Sequence, residues 1–349
     1  MSSVDRNSTL PLPPHYDANR VGEVWRVPYQ ERALQAQEWA RRYEIQPAIQ
    51  DKYRMALLGV DVQNTFCIPG FELYVAGRSG KGAVEDSQRL CEFIYRNLHV
   101  ITHIVMTMDT HQVIHIFHPI FLINEEGKHP DALTSISYQD IIAGRWRFNE
   151  QLSGCLDIEA EYGQQHLLHY VRALKKRGKY DLTIWPYHAM LGGIGHALVS
   201  TVEEAIFFHS IVRNTQADFE MKGRNPLTEH YSAINPEVVE GPGGEKIAEK
   251  SDKFIKLIKE YDAVLIAGQA KSHCVSWTIE DILEDIRKID SSLARKVYLL
   301  EDCTSPVVIP GVVDYSKQAE AKFREFAEAG MHIVRTTEPI QNWPGIELD

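Results

Sequence analysis

Cys274 stands where a thiol gains most from its surroundings. It follows the apolar run Ala263 to Ala267 and opens a segment that sets Val275, Ile279, Ile282, Leu283 and Ile286 on one helical face. The run reads as a buried parallel strand, so the cysteine sits at a strand-to-helix turn, near the amino end of the helix. Unpaired N–H groups and the helix dipole favour a thiolate there. A buried structural cysteine fits the same position, so the partners of the thiol must decide between the two.

The other strand ends supply such partners. Asp61 follows the apolar MALLGV, and a carboxylate within hydrogen-bond reach is the base a thiol needs. Lys222, before Gly223, would lower a nearby thiol pKa and hold developing negative charge. Asp109 and His111 close the next strand, and His188 follows Trp185-Pro186. One carboxylate and two imidazoles with an open position suit Zn²⁺, Fe²⁺ or Mn²⁺. Taken singly each residue has a plainer reading. Asp61 is also a turn residue, Lys222 a solvated turn, Trp-Pro a packed turn, and Asp-x-His a chance pair. Their order along the chain argues for the joint reading.

The elements that must position these groups alternate. Strands are predicted at Met55 to Asp61, Ile101 to Met108, Leu182 to Trp185, Ile206 to Val212, Ala263 to Ala267, Lys296 to Leu300 and His332 to Thr336. Helices are predicted at Tyr29 to Tyr43, Gly82 to Leu98, Ile158 to Lys176, His196 to Ala205, Glu245 to Glu260, Ser272 to Ile289 and Tyr315 to Ala329. Alternation implies an α/β fold: a doubly wound, mostly parallel six-stranded sheet with helices on both faces. In such sheets the site lies beyond the carboxyl ends of the strands. Residues 1–52 read as an N-terminal arm. Residues 53–349 read as one domain with a long insertion at about 120–180.

Composition bounds the rest. The chain has 349 residues, 44% of them hydrophobic, enough for a core of ordinary size. A net charge of −11 argues against a nucleic-acid partner. No apolar stretch reaches membrane-spanning length, and the first twenty residues lack an apolar signal core. The five scattered cysteines read as reduced thiols, so a cytoplasmic location is expected. GxGxxG and GxxxxGKS are both missing, which argues against a nucleotide cofactor. Gly192-Gly193-Ile194-Gly195 follows no convincing strand, so it makes a poor phosphate cradle.

The motifs together resemble the nicotinamidase branch of the isochorismatase-like cysteine hydrolases. The blocks are Val60-Asp61-Val62-Gln63-Asn64-Thr65-Phe66, Asp109-Thr110-His111, Trp185-Pro186-Tyr187-His188, Lys222-Gly223 with Tyr231-Ser232-Ala233-Ile234, and Gly268 through His273-Cys274-Val275. The resemblance implies that fold and a catalytic triad of Asp61, Lys222 and Cys274. It implies a divalent metal on Asp109, His111 and His188, and a substrate site that includes Phe66, Trp185 and Tyr231. It further implies a cis peptide at Gln269–Ala270, with the Ala270 and Cys274 N–H groups as oxyanion hole. The expected partner is a small-molecule amide, and a homo-oligomer is expected. The family often has one more histidine after Asp-x-His, for which both His115 and His118 are available. Ala189-Met190 replace the usual Cys-Val, and the 120–180 segment and the arm are longer than usual. Those departures leave open another amide or carbamoyl substrate, or a non-catalytic binding protein of this fold.

Overall fold

The computed structural model of the protein describes residues 6–348 except 178 and 179. The first five residues of the predicted arm, two residues of the predicted insertion and Asp349 lie outside the described residues. The chain forms two compact units. One comprises Met1–Met108, Ala197–Glu220 and Asp252–Asp349, the other Asp109–His196 and Met221–Ser251.

The first unit is organised by a six-stranded sheet. Its strands are β1 (Met55–Val60), β2 (Ile101–Asp109), β3 (Asp218–Lys222), β4 (Ala263–Gly268), β5 (Val297–Leu300) and β6 (His332–Val334), with Asp109 of β2 and Met221 and Lys222 of β3 counted in the second unit. Their spatial order is β6-β5-β4-β1-β2-β3. The pairings of β1 with β2 and β4, and of β5 with β4 and β6, are parallel. Every residue of β1 and β4 is buried, as apolar strands covered on both faces must be. The chain starts at β1 and winds outward through β2 and β3. It then crosses back to β4 and winds the other way. Right-handed crossovers put the helices of the two halves on opposite faces, which is the doubly wound arrangement expected.

The helices of this unit are α1 (Tyr29–Arg42), α2 (Gly82–Arg96), α4 (Ser200–Arg213), α5 (Lys253–Glu260), α6 (Cys274–Ile289) and α7 (Ser316–Glu328), while α3 (Ala160–Arg177) belongs to the second unit. The apolar face predicted for α6 is buried at Val275, Ile279, Ile282, Leu283 and Ile286. The arm packs on its own unit: Leu10, Val21, Ala36 and Trp39 enter the core, and Arg32 Nε donates to Glu204 Oε1 at 2.5 Å.

Three predicted elements differ. Ile206 to Val212 is not a strand but the second half of α4. Its β-branched and aromatic residues suggest a strand, yet Val202, Ala205, Ile206, His209 and Val212 are buried at helical spacing. The third strand in sequence order is instead Asp218–Lys222, whose composition DFEMK hides it. Leu182–Thr183 is extended but pairs with Ser135–Ile136 in a small antiparallel ladder, outside the central sheet. The helix predicted from Glu245 begins only at Lys253, because residues 240–246 fold as a turn in which the Gly241 N–H donates to Glu245 O at 2.8 Å.

The second unit has a core of its own. Leu167, Tyr170, Val171 and Leu174 of α3 join a cluster with Phe117, Phe121, Phe148 and Ile184. A second ladder pairs Leu122–Ile123 with Arg147–Phe148. The long segment after β2 is therefore a folded body rather than a loop.

Candidate functional site

In the first unit, β1 and β4 run side by side with Val60 opposite Gly268. Asp61 and Gln269 are thus the first residues past two neighbouring strand ends. Gly268 has φ +116, and a Cβ there would stand 2.0 Å from Val60 O, so the close approach of the two strand ends requires glycine. The Gln269 N–H donates to Val60 O at 2.8 Å. Gln269 Nε2 donates to Asp86 Oδ2 of α2 at 2.9 Å, which fixes the side chain. The Gln269–Ala270 peptide is cis. The Ala270 N–H meets no acceptor among the described residues, while Ala270 O accepts from the His273 N–H at 2.9 Å and the Val275 N–H at 3.2 Å. Cys274 is the first residue of α6 and is buried.

Asp61 is fully buried and adopts φ +49, in the left-handed region. Thr107 of β2 holds it there. The Asp61 N–H donates to Thr107 Oγ1 at 3.0 Å, and that hydroxyl donates to Asp61 Oδ1 at 2.5 Å. Phe66 lies in the single helical turn Asn64–Cys67 that follows.

The second unit gathers the metal set. His111 Nε2 lies 3.0 Å from Asp109 Oδ1, and His188 Nε2 lies 3.7 Å from Asp109 Oδ2. A third imidazole joins them: ligand atoms of His111, His118 and His188 lie within 4.8 Å of one another. Each ring anchors Nδ1 on a backbone carbonyl, His111 on His188 O (3.2 Å), His118 on Val113 O (3.0 Å) and His188 on Pro186 O (2.7 Å). Bonds of this kind fix the tautomer and turn Nε2 toward a metal. His118 Nε2 is buried and has no hydrogen-bond partner among the described residues. The donor set therefore fits a divalent cation. His115, the other candidate, lies with its ring tilted at 57° and 5.3 Å from that of His111, and is not in the cluster.

The electrostatics agree with that use. Burial pushes the His118 pKa down to about 3, with His111 and His188 adding to the effect, so the ring is a neutral ligand at ordinary pH. Burial alone would raise the Asp109 pKa. His111 and Lys222 beside it outweigh burial and hold the carboxyl well below its usual range. Lys222 Nζ donates to Asp109 Oδ1 and to His230 O, both at 3.0 Å. Gly223 follows with φ +80, and a Cβ there would press within 3.0 Å of His111 Nε2.

Trp185 leads into His188. Its indole N–H is shared between Glu229 Oε1 and Tyr231 Oη, at 2.8 Å each. Thr107, His118 and Glu229 are the residues sequence reasoning did not assign. Asp61 and Cys274 fall in the first unit, and Asp109, His111, His188, Trp185, Lys222 and Tyr231 in the second.

No family model and no curated protein matches the chain. Solved structures similar to it include an Acinetobacter baumanii nicotinamidase–pyrazinamidase, at 18% identity over 82% of this chain and 99% of that one, with a TM-score of 0.45. The yeast nicotinamidase bound to the inhibitor nicotinaldehyde is similar at 18% identity over 80% of this chain and 99% of that one, with a TM-score of 0.48. A Pyrococcus horikoshii pyrazinamidase in complex with zinc gives 18% identity over 81% and 99%, with a TM-score of 0.41. The α/β assignment rests on the sheet order and register of this chain itself.

Proposed function

We propose that the protein is a cysteine-dependent amidase of nicotinamidase type, converting nicotinamide and water to nicotinic acid and ammonia. The observation that carries this reading is the placement of Cys274 at the head of α6 and of Asp61 at the neighbouring strand end, beside the Gln269–Ala270 cis peptide. On the motif resemblance, Asp61, Lys222 and Cys274 are its catalytic residues and Phe66, Trp185 and Tyr231 its substrate contacts.

Asp61 takes the thiol proton and the Cys274 sulfur attacks the carboxamide carbon. The carbonyl π pair moves to oxygen, which the Ala270 and Cys274 N–H groups stabilise. A donor of that kind is worth about 10²- to 10³-fold in rate. The tetrahedral centre collapses, the C–N bond breaks, and Asp61 returns its proton to the leaving nitrogen as ammonia is released. Water then attacks the thioester, giving the acid and the free thiol. The motif resemblance gives Lys222 the role of holding the negative charge of this exchange. Asp109, His111, His118 and His188 would hold a divalent metal, which when bound supplies a Lewis-acid anchor for a heteroaromatic ring nitrogen.

The test is ammonia release from nicotinamide, from other amides and from ureido compounds, with wild type and Cys274→Ala. Release from nicotinamide that the substitution abolishes supports the reading. Release from ureido compounds alone, with none from nicotinamide, overturns it.

A further inference from the structure

Glu229 carries an unusual combination. It is 4% exposed, and no lysine or arginine pairs with it among the described residues. Its Oε2 is buried and has no hydrogen-bond partner among the described residues. Such a carboxyl is costly to bury. Burial pushes its pKa up to about 8, against bonds from Tyr231 and Trp185 that favour the charged form, so it is protonated at neutral pH. The backbone holds it in place: the Glu229 N–H donates to Tyr170 Oη at 3.1 Å, and Glu229 O accepts from the Glu237 N–H at 2.8 Å. Its Oε1 accepts from the indole N–H of Trp185, which Tyr231 Oη also accepts, so both groups tie it to the proposed substrate site. Trp185 is only half-buried. Its backbone is tied by its N–H to Phe117 O at 2.8 Å, and its ring rests against the apolar cluster of the second unit, so the two indole acceptors are the directional contacts on the side chain.

We propose that Glu229 is a positioning residue that, through the shared indole N–H, fixes the plane of Trp185 and thereby sets affinity for a planar aromatic amide rather than the rate of the chemical step. The proposal rests on the amidase reading for its substrate. The link from Glu229 to Trp185 stands apart from that reading. A tryptophan side chain has two torsions. With one edge pinned by two acceptors, the ring face offered to a substrate keeps one orientation, and stacking loses less entropy on binding. Without Glu229, a single acceptor and the packing of the ring hold that edge less tightly.

The experiment uses the full chain labelled with nitrogen-15, with the Trp185 indole resonance identified by its loss in Trp185→Phe. Glu229→Leu should shift that resonance and raise KM for nicotinamide about tenfold while kcat stays within about twofold, the size expected for one net hydrogen bond. Glu229→Gln keeps an acceptor oxygen and should return both readouts toward wild type. In a Trp185→Phe background Glu229→Leu should add nothing to KM. Glu229→Met, closer in shape, carries the same expectation if the leucine variant does not fold. An unmoved indole resonance in a folded Glu229→Leu or Glu229→Met protein overturns the proposal, as does an undiminished KM effect without the indole. If the resonance shifts but no variant or wild type releases ammonia from nicotinamide, the Glu229–Trp185 link holds and the amidase reading fails.

Discussion

Lys222 Nζ stands 3.0 Å from Asp109 Oδ1, the same oxygen that His111 Nε2 meets at 3.0 Å. One buried carboxylate thus serves both the lysine of the proposed triad and the proposed metal set. A buried lysine needs its counter-charge, and removing one partner leaves the other desolvated and alone. Asp109→Asn is therefore expected to lower metal content and also destabilise the fold by about 3 kcal/mol. Denaturant unfolding of the metal-free protein checks the second effect separately. Unchanged stability there would mean that Asp109 serves the metal alone.

The choice between two histidines gives a sharper test. His118 has a ligand atom in the cluster and a buried, unpartnered Nε2, whereas His115 stands outside the cluster. Elemental analysis of purified His118→Ala should show metal well below wild type. His115→Ala should keep wild-type stoichiometry. The reverse pattern would put His115 rather than His118 in the metal set.

How far the sequence could be read follows from the range of the interactions involved. β1 and β4 are legible because a strand covered on both faces is apolar throughout, and the α6 face because its period is 3.6. The segment around Ile206 misleads, since residue types favour a strand while burial follows a helix. His118 is hidden because only the path of the loop after His111 decides which ring turns inward. Thr107 and Glu229 are hidden for a related reason: each acts on a residue more than forty positions away, Thr107 on Asp61 and Glu229 on Trp185. Motif spacing identifies groups that touch a substrate. It says nothing of the groups that hold them.

Thr107 offers a direct measure of such holding. It closes a reciprocal pair of hydrogen bonds with an aspartate whose backbone is in the left-handed region. Thr107→Val keeps the shape of a buried β2 residue and removes both bonds. Because one of them serves a carboxylate, we expect kcat to fall by about 10- to 100-fold with only a small change in melting temperature. An ammonia-release assay beside a thermal melt reads both. Full activity in the valine variant would sink the view that Thr107 sets the proposed base.

Acid should unfold the first unit by way of histidines far from the proposed site. His209 is fully buried in α4, with Nε2 2.9 Å from Ile101 O, and burial pushes its pKa from 6.5 down to about 3. His99 is likewise depressed to about 4, chiefly by burial, with the Arg213 and Arg6 charges also lowering it and backbone bonds at Arg6 and Ser8 opposing. Both rings stay neutral in the folded chain at a pH where the unfolded chain protonates them. The unfolded state then binds more protons, so stability is lost as pH falls from about 6.5 toward the folded values. Each ring contributes a slope of at most about 1.4 kcal/mol per pH unit. Stability from denaturant titrations should therefore be flat from these two groups above neutrality and drop between pH 6.5 and 4. His209→Gln keeps an N–H donor for Ile101 O but no longer titrates, so it should flatten the slope by about one proton. A slope unchanged in that variant would show that His209 is already protonated in the fold.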